Sequence, residues 1–171
     1  MTTDFSPNAD ELLSRNGHYA DDFDGSGLGV APSRHLAVVA CMDSRMDMFA
    51  LLGLGNGEAH IIRNAGGVVT DDVIRSLCLS QRSLGTREVI LVHHTDCGLT
   101  KVTDDGFRAD LQADLGVMPA WAVDSFTDPH ADVVQSMHRL RNSPFVVHDE
   151  HVRGFVYDVD TGSLHEVVEQ D

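Results

Sequence analysis

A chain of 171 residues can bury one hydrophobic core, and 42% hydrophobic against 23% charged residues is the balance of an ordinary globular domain. Twenty-seven acidic against 12 basic side chains give a formal net charge of -15, a field that repels nucleic acid and anionic membranes. No apolar run approaches the roughly 18 residues that a membrane span needs, and Met1-Thr2-Thr3-Asp4-Phe5 lacks the basic and apolar stretches of a secretory leader, so a cytoplasmic protein is expected.

Residues 1–33 are polar and glycine-rich and read as an N-terminal arm on a single domain spanning 1–171. Ser6-Pro7 suits a helix start, and the helix through Leu12 and Leu13 should break at Asp24-Gly25-Ser26-Gly27. Residues 35–41 carry Leu-Ala-Val-Val-Ala, a buried strand. A short helix over 47–54 ends at Gly53 and Gly55, and a second strand covers 59–62. Thr70 caps a helix whose first turn holds Asp71 and Asp72. Its apolar positions, Val73, Ile74, Leu77, Cys78 and Leu84, recur at helical spacing until Gly85. A third strand follows at 89–92.

The stretch 101–126 carries only weak signals, short helices and loops. Residues 128–141 form a helix with Val133, Val134, Met137 and Leu140 on one face. Phe145-Val146-Val147 is expected as a fourth parallel strand. The alternating runs 154–159 and 163–168 flank Asp160-Thr161-Gly162 and predict a C-terminal hairpin. Strand–helix–strand order implies an α/β fold: a central, mostly parallel sheet flanked by helices, with an antiparallel C-terminal strand.

Three strings carry the chemistry. Cys41 ends the first strand, and His94 and Cys97 lie just past the third, so all three meet at the carboxyl end of a parallel sheet. Two thiolates and an imidazole suit zinc, and three protein ligands leave the fourth position open, as in a catalytic site. Gly98 is expected to allow the tight turn of His94-x-x-Cys97. The three cysteines include no Cys-x-x-Cys pair, and Cys78 reads as a packing residue. His93 should point away from His94.

Asp43 is close enough to a metal at Cys41 to ligate it or to accept a hydrogen bond from water there. Arg45 offers a fork that orients this carboxylate and holds it ionised. Ser44 and Asp96 read as turn caps without a catalytic role. Arg63 and Asn64 leave the second strand at the same end and support the site from behind, with Gly66 and Gly67 beside the substrate pocket.

Cys41-x-Asp43-x-Arg45, Arg63-Asn64-Ala65-Gly66 and His94-x-x-Cys97, in this order, resemble the β-class carbonic anhydrases, particularly the small, actinobacterial-type members. The resemblance implies zinc held by Cys41, His94 and Cys97, with an Asp43–Arg45 dyad beside it. It implies reversible hydration of carbon dioxide to bicarbonate and a proton by a zinc-bound hydroxide. It also implies four parallel strands plus one antiparallel strand, and homodimers or dimers of dimers embraced by N-terminal helices. Two features depart from parts of the family. No glutamine precedes the first zinc strand, where Leu28-Gly29-Val30-Ala31-Pro32-Ser33 stands. Val38 occupies the place of the tryptophan found in members with a regulatory bicarbonate pocket. Two alternatives share the motifs: a carbonyl sulfide or carbon disulfide hydrolase, and a non-catalytic zinc protein that senses bicarbonate.

Overall fold

The computed structural model describes residues 6–169; residues 1–5, read above for a leader, and residues 170–171 lie outside them. Helix α1, Ala9–Asp21, starts two positions after Pro7, and Asn8 makes no side-chain cap bond. None of its residues is buried. Strand β1, Leu36–Cys41, is buried along its whole length. Helix α2, Met48–Leu52, is capped by Asp47, which accepts from Ala50 N, and closed by left-handed Gly53. Strand β2 spans Ala59–Asn64. Helix α3, Asp71–Leu84, has the expected Thr70 cap and ends at left-handed Gly85. Strand β3, Glu88–His94, extends beyond the predicted 89–92 and ends on His94 itself. The weakly patterned stretch holds helix α4, Asp104–Leu115. Helix α5, Pro129–Arg141, begins with proline after the Asp128 cap. Strands β4, Val152–Tyr157, and β5, Leu164–Val167, complete the chain.

The strands lie in the order β2-β1-β3-β4-β5, with the first four parallel and β5 antiparallel to β4. One expected element is corrected. Phe145-Val146-Val147 is not a strand; the fourth parallel strand is β4, the first arm of the hairpin. The reason lies in Ser143, which takes the Phe145 and Val146 N–H groups, and in Gln81 on α3. Its Oε1 accepts from Val147 N at 2.9 Å and His148 N at 3.2 Å, and its Nε2 donates to His148 O at 2.8 Å. A side chain thus satisfies the backbone groups that a sheet ladder would otherwise engage. Val146 is buried against α3 and α5, while Phe145 and Val147 stay exposed.

The sheet carries a core on each face. Ala37, Val39, Val89 and Leu91 pack with Val73 and Leu77 of α3 and Val133, Met137 and Leu140 of α5. Leu36, Val38, Ala40 and Val92 pack on the other face with Met46 and Met48. Each fully buried Leu or Val contributes about 1.5–3 kcal/mol relative to exposure. Helix α5 lies almost on the β4 backbone: a Cβ at Gly154 would sit 2.1 Å from Val133 Cγ1. The chain leaves β1 toward β2 on one side and leaves β3 toward β4 on the other. The carboxyl ends of β1 and β3 therefore form a topological switch point, where open α/β sheets leave a crevice for ligands.

Candidate active site

Cys41 closes β1, His94 closes β3, and Cys97 follows within three residues. One donor atom from each lies within 4.8 Å of the other two, and all three residues are buried. His94 Nδ1–H donates to Thr95 O at 2.8 Å, which fixes the tautomer and leaves Nε2 with a free lone pair. That Nε2 is buried and has no hydrogen-bond partner. A buried orphan nitrogen beside two sulfurs is costly unless something binds there. Ring nitrogens held by a carbonyl on one side and free on the other are typical of metal-ligating histidines. The donor set therefore fits a sulfur- and nitrogen-seeking divalent metal. The closeness of the two thiols pulls the Cys41 thiol down and, together with burial, pushes the Cys97 thiol up.

Asp43 stands beside this group, its Oδ2 3.7 Å from His94 Nε2. Arg45 grips both carboxylate oxygens: its backbone N–H and Nε donate to Oδ1, each at 2.9 Å, and Nη2 donates to Oδ2 at 2.8 Å. The Arg45 hydrogen bonds hold the Asp43 carboxyl well below the usual carboxylate range. Arg63 reaches from β2 and clamps the loop after β1, Nε donating to Cys41 O at 2.9 Å and Nη2 to Asp43 O at 2.7 Å. Asn64 Nδ2 donates to Val68 O at 2.8 Å and closes the turn that carries the two glycines.

Gly66 and Gly67 both have left-handed backbones, φ 79° and 74°. A Cβ on Gly66 would strike Leu99, Val68 and Phe126, and one on Gly67 would strike the backbones of β1 and β3. These glycines let the turn after β2 press against the strand ends that bear Cys41 and His94. An apolar recess of about 400 Å³ adjoins them, walled by Ala65, Val68, Leu99, Phe107 and Trp121 among others.

Three sequence expectations need revision. Gly98 does not supply the special conformation of the His94–Cys97 turn: its φ is not positive, and a Cβ there would meet nothing within 4 Å. The left-handed residue is Asp96, at φ 53°. Nor is Asp96 merely a turn cap. Its Oδ2 accepts from Arg45 Nη1 at 3.1 Å, its carbonyl from Arg45 Nη2 at 3.2 Å, and its Oδ1 from Lys101 Nζ at 2.7 Å. Lys101 first, then Arg45, lower its carboxyl below the ordinary value. Nothing in the sequence pairs Asp96 with an arginine 51 positions earlier. Ser44 caps no helix here; Asp47 caps α2. His93 points away from the site, as alternation requires, and its Nε2–H donates to Asp132 Oδ2 of α5 at 2.7 Å. Cys78 is half-buried on α3, away from the ligand group.

A family profile described as carbonic anhydrase matches residues 36–126, the span from β1 to the end of the recess-lining loop. The chain is 54% identical over 158 residues to β-carbonic anhydrase 1 of Mycobacterium tuberculosis, covering 92% of this chain and 96% of that one. It is 35% identical over 161 residues to a carbon disulfide hydrolase of an Acidianus species, covering 80% and 78% of the two chains. The crystal structure of carbonic anhydrase from Streptococcus mutans superposes with a TM-score of 0.90 at 42% identity, over 96% of this chain and 99% of that one. Four parallel strands with an antiparallel fifth, a Cys-His-Cys group at the switch point and these similarities lead to one assignment: the chain belongs to the β-carbonic anhydrase family.

Proposed function

We propose that this protein is a zinc carbonic anhydrase that interconverts carbon dioxide and bicarbonate, with Cys41, His94 and Cys97 as metal ligands and Asp43 and Arg45 as the catalytic dyad. One observation carries the reading beyond metal binding: a carboxylate held ionised beside the ligand group, yet gripped on both oxygens by an arginine. A purely structural metal site needs neither residue.

Bound at the three ligands, zinc supplies Lewis acidity that makes a coordinated water acidic near neutral pH. Asp43 can only accept hydrogen bonds while ionised, so it orients the attacking water's proton toward itself and a lone pair toward the carbon of the substrate. Arg45 keeps that carboxylate ionised and fixes its orientation, with Oδ2 3.7 Å from His94 Nε2. Arg63 fixes the two carbonyls that set the path of the loop between Cys41 and Asp43. The apolar recess suits an uncharged linear substrate, and Gly66 and Gly67 let the turn that borders it pack against the strand ends.

Stopped-flow hydration with a pH indicator tests the reading on zinc-loaded protein at mildly alkaline pH. Turnover is expected, and Asp43→Ala and Arg45→Ala should each lose most of it while zinc remains bound. Wild-type turnover in either variant removes the dyad, full zinc in Cys97→Ser removes the ligand set, and zinc without any turnover favours a bicarbonate sensor. The similarity to carbon disulfide hydrolases supports a second reading, hydrolysis of carbonyl sulfide or carbon disulfide on the same groups. Side-by-side rates decide it, and carbon dioxide is expected to be the faster substrate.

We also propose that the protein works as a homodimer or dimer of dimers. Helix α1 buries none of its residues, and Leu12, Leu13 and Tyr19 on it are exposed, an apolar set that a second copy would cover. All three cysteines are free, which suits a reducing compartment such as the cytoplasm. No described helix is long and apolar enough to cross a membrane.

A further inference from the structure

The Arg45 guanidinium has two edges, and Asp43 uses one of them. Nε and Nη2 form the fork on the Asp43 carboxylate. The opposite edge meets Asp96, whose carboxylate takes Nη1 at 3.1 Å and whose carbonyl takes Nη2 at 3.2 Å. Asp96 belongs to the two-residue spacer between His94 and Cys97. Its backbone is left-handed, φ 53°, and in that conformation both its carboxylate and its carbonyl meet Arg45. The neighbouring spacer residue is also fixed: Thr95 N donates to Tyr157 O at 2.9 Å, and Thr95 Oγ1 accepts from Val159 N at 3.1 Å. Asp96 therefore stands on an anchored turn.

We infer that Asp96 is a positioning residue for the reaction: it pins the outer edge of Arg45 and so couples the orientation of Asp43 to the turn that carries two metal ligands. The inference rests on the Asp43–Arg45 reading above. The alternative is a plain surface ion pair. The Asp96 side chain is 55% exposed, and such a pair contributes little to global stability. That is why the two can be told apart. A pair that only decorates the surface changes nothing measurable. A pair that fixes a guanidinium plane changes the geometry of the carboxylate on its other edge while leaving the fold intact. Lys101 holds the second Asp96 oxygen at 2.7 Å and keeps the carboxylate from rotating off Arg45.

The test uses three forms of the whole chain. Asp96→Gly keeps the left-handed backbone and the carbonyl but removes the carboxylate. Asp96→Asn keeps an oxygen acceptor and also tolerates the conformation. Zinc content, kcat/KM for carbon dioxide hydration, and the 15N NMR signals of the Arg45 guanidinium are compared with wild type, the NMR in both zinc-loaded and metal-free protein. Asp96→Gly is expected to lower kcat/KM about tenfold, the value of one charge-assisted hydrogen bond, with zinc still at full occupancy. Its Arg45 Nη groups should rotate freely where those of wild type are held. Asp96→Asn should recover most of both. Wild-type turnover in Asp96→Gly overturns the inference. So does a loss that tracks lost zinc, a loss with unchanged Arg45 signals, or an Asn variant no better than Gly. Asp43→Ala run alongside separates the two readings: if it loses turnover and Asp96→Gly does not, only the role of Asp96 falls.

Discussion

Replacing Gly67 by alanine probes the joint between the glycine turn and the ligand-bearing strands. The added Cβ would lie 2.8 Å from Cys41 N, 3.0 Å from the Ala40 carbonyl carbon and 3.1 Å from Val92 O, whereas ordinary contact begins at 3.4 Å. All three neighbours are backbone atoms of β1 and β3, so no side chain can swing aside. The left-handed φ of 74° adds its own penalty for any residue with a Cβ. Strain and overpacking together should cost about 2–5 kcal/mol. For a domain of this size that is a fall in Tm of about 4–20 °C. Relief requires β1 and β3 to part by roughly 0.5 Å beside Cys41, which exceeds the ~0.2 Å tolerance of metal–ligand distances. Metal affinity should therefore fall as well. Thermal unfolding of metal-free protein measures the first effect, and competition with a chelator measures the second. Gly98→Ala is the control, expected within about 0.5 kcal/mol of wild type because nothing lies within 4 Å of its Cβ. A Gly67→Ala protein that melts within about 2 °C of wild type and holds its metal against the chelator refutes the reasoning.

Arg63→Lys should weaken metal binding about tenfold in the same chelator assay, because one ammonium cannot reproduce the fork onto Cys41 O and Asp43 O. Asp132→Ala should cost about 1–3 kcal/mol in urea unfolding, since it strands the buried His93 imidazole; replacing both residues by leucine should cost less than the single change. Asp104 supports the 123–125 loop, accepting from Val123 N, Asp124 N, Ser125 N and Ser125 Oγ. The Ser125 hydrogen bonds, chiefly, lower its carboxyl from 3.8 to about 2. A lowered carboxyl adds stability that is complete above the ordinary value and is lost as pH falls through the lowered one. Asp104→Asn should therefore be less stable than wild type by about 1 kcal/mol at neutral pH. That gap should close as pH falls through 3.8 toward 2, and a constant gap across acid unfolding curves refutes the assignment.

What the sequence reveals depends on how local the cause is. Helix α3 is legible end to end because Thr70, its apolar spacing and Gly85 all act within one segment. The ligand trio is legible because parallel strands share a carboxyl end. The order β2-β1-β3 is a global property, so the switch point between β1 and β3 emerges only in the fold. The apolar run at 145–147 misleads because Ser143 takes the Phe145 and Val146 N–H groups and Gln81, 66 positions before Val147, takes the third. Gly98 is the sequence's natural bearer of the turn conformation because glycine adopts it freely, whereas Asp96, held by Arg45 and Lys101, adopts it instead.

The adjacent histidines of β3 show how the core determines the chemistry. Val89, Leu91 and His93 face α3 and α5, while Ile90, Val92 and His94 face the opposite side. With a period of two, a slip of one residue would carry His93 into the ligand group and bury His94 against α5. Nothing in the imidazoles themselves prefers one arrangement. The preference comes from partners on each side. Asp132 offers His93 a hydrogen bond on the helical face, and α5 can bring it there because Gly154 lets the helix settle on β4. The Thr95 contacts to Tyr157 and Val159 fix the strand end on the other side. The His93–Asp132 hydrogen bond, with the glycine that admits its helix, thereby selects which histidine faces the two cysteines.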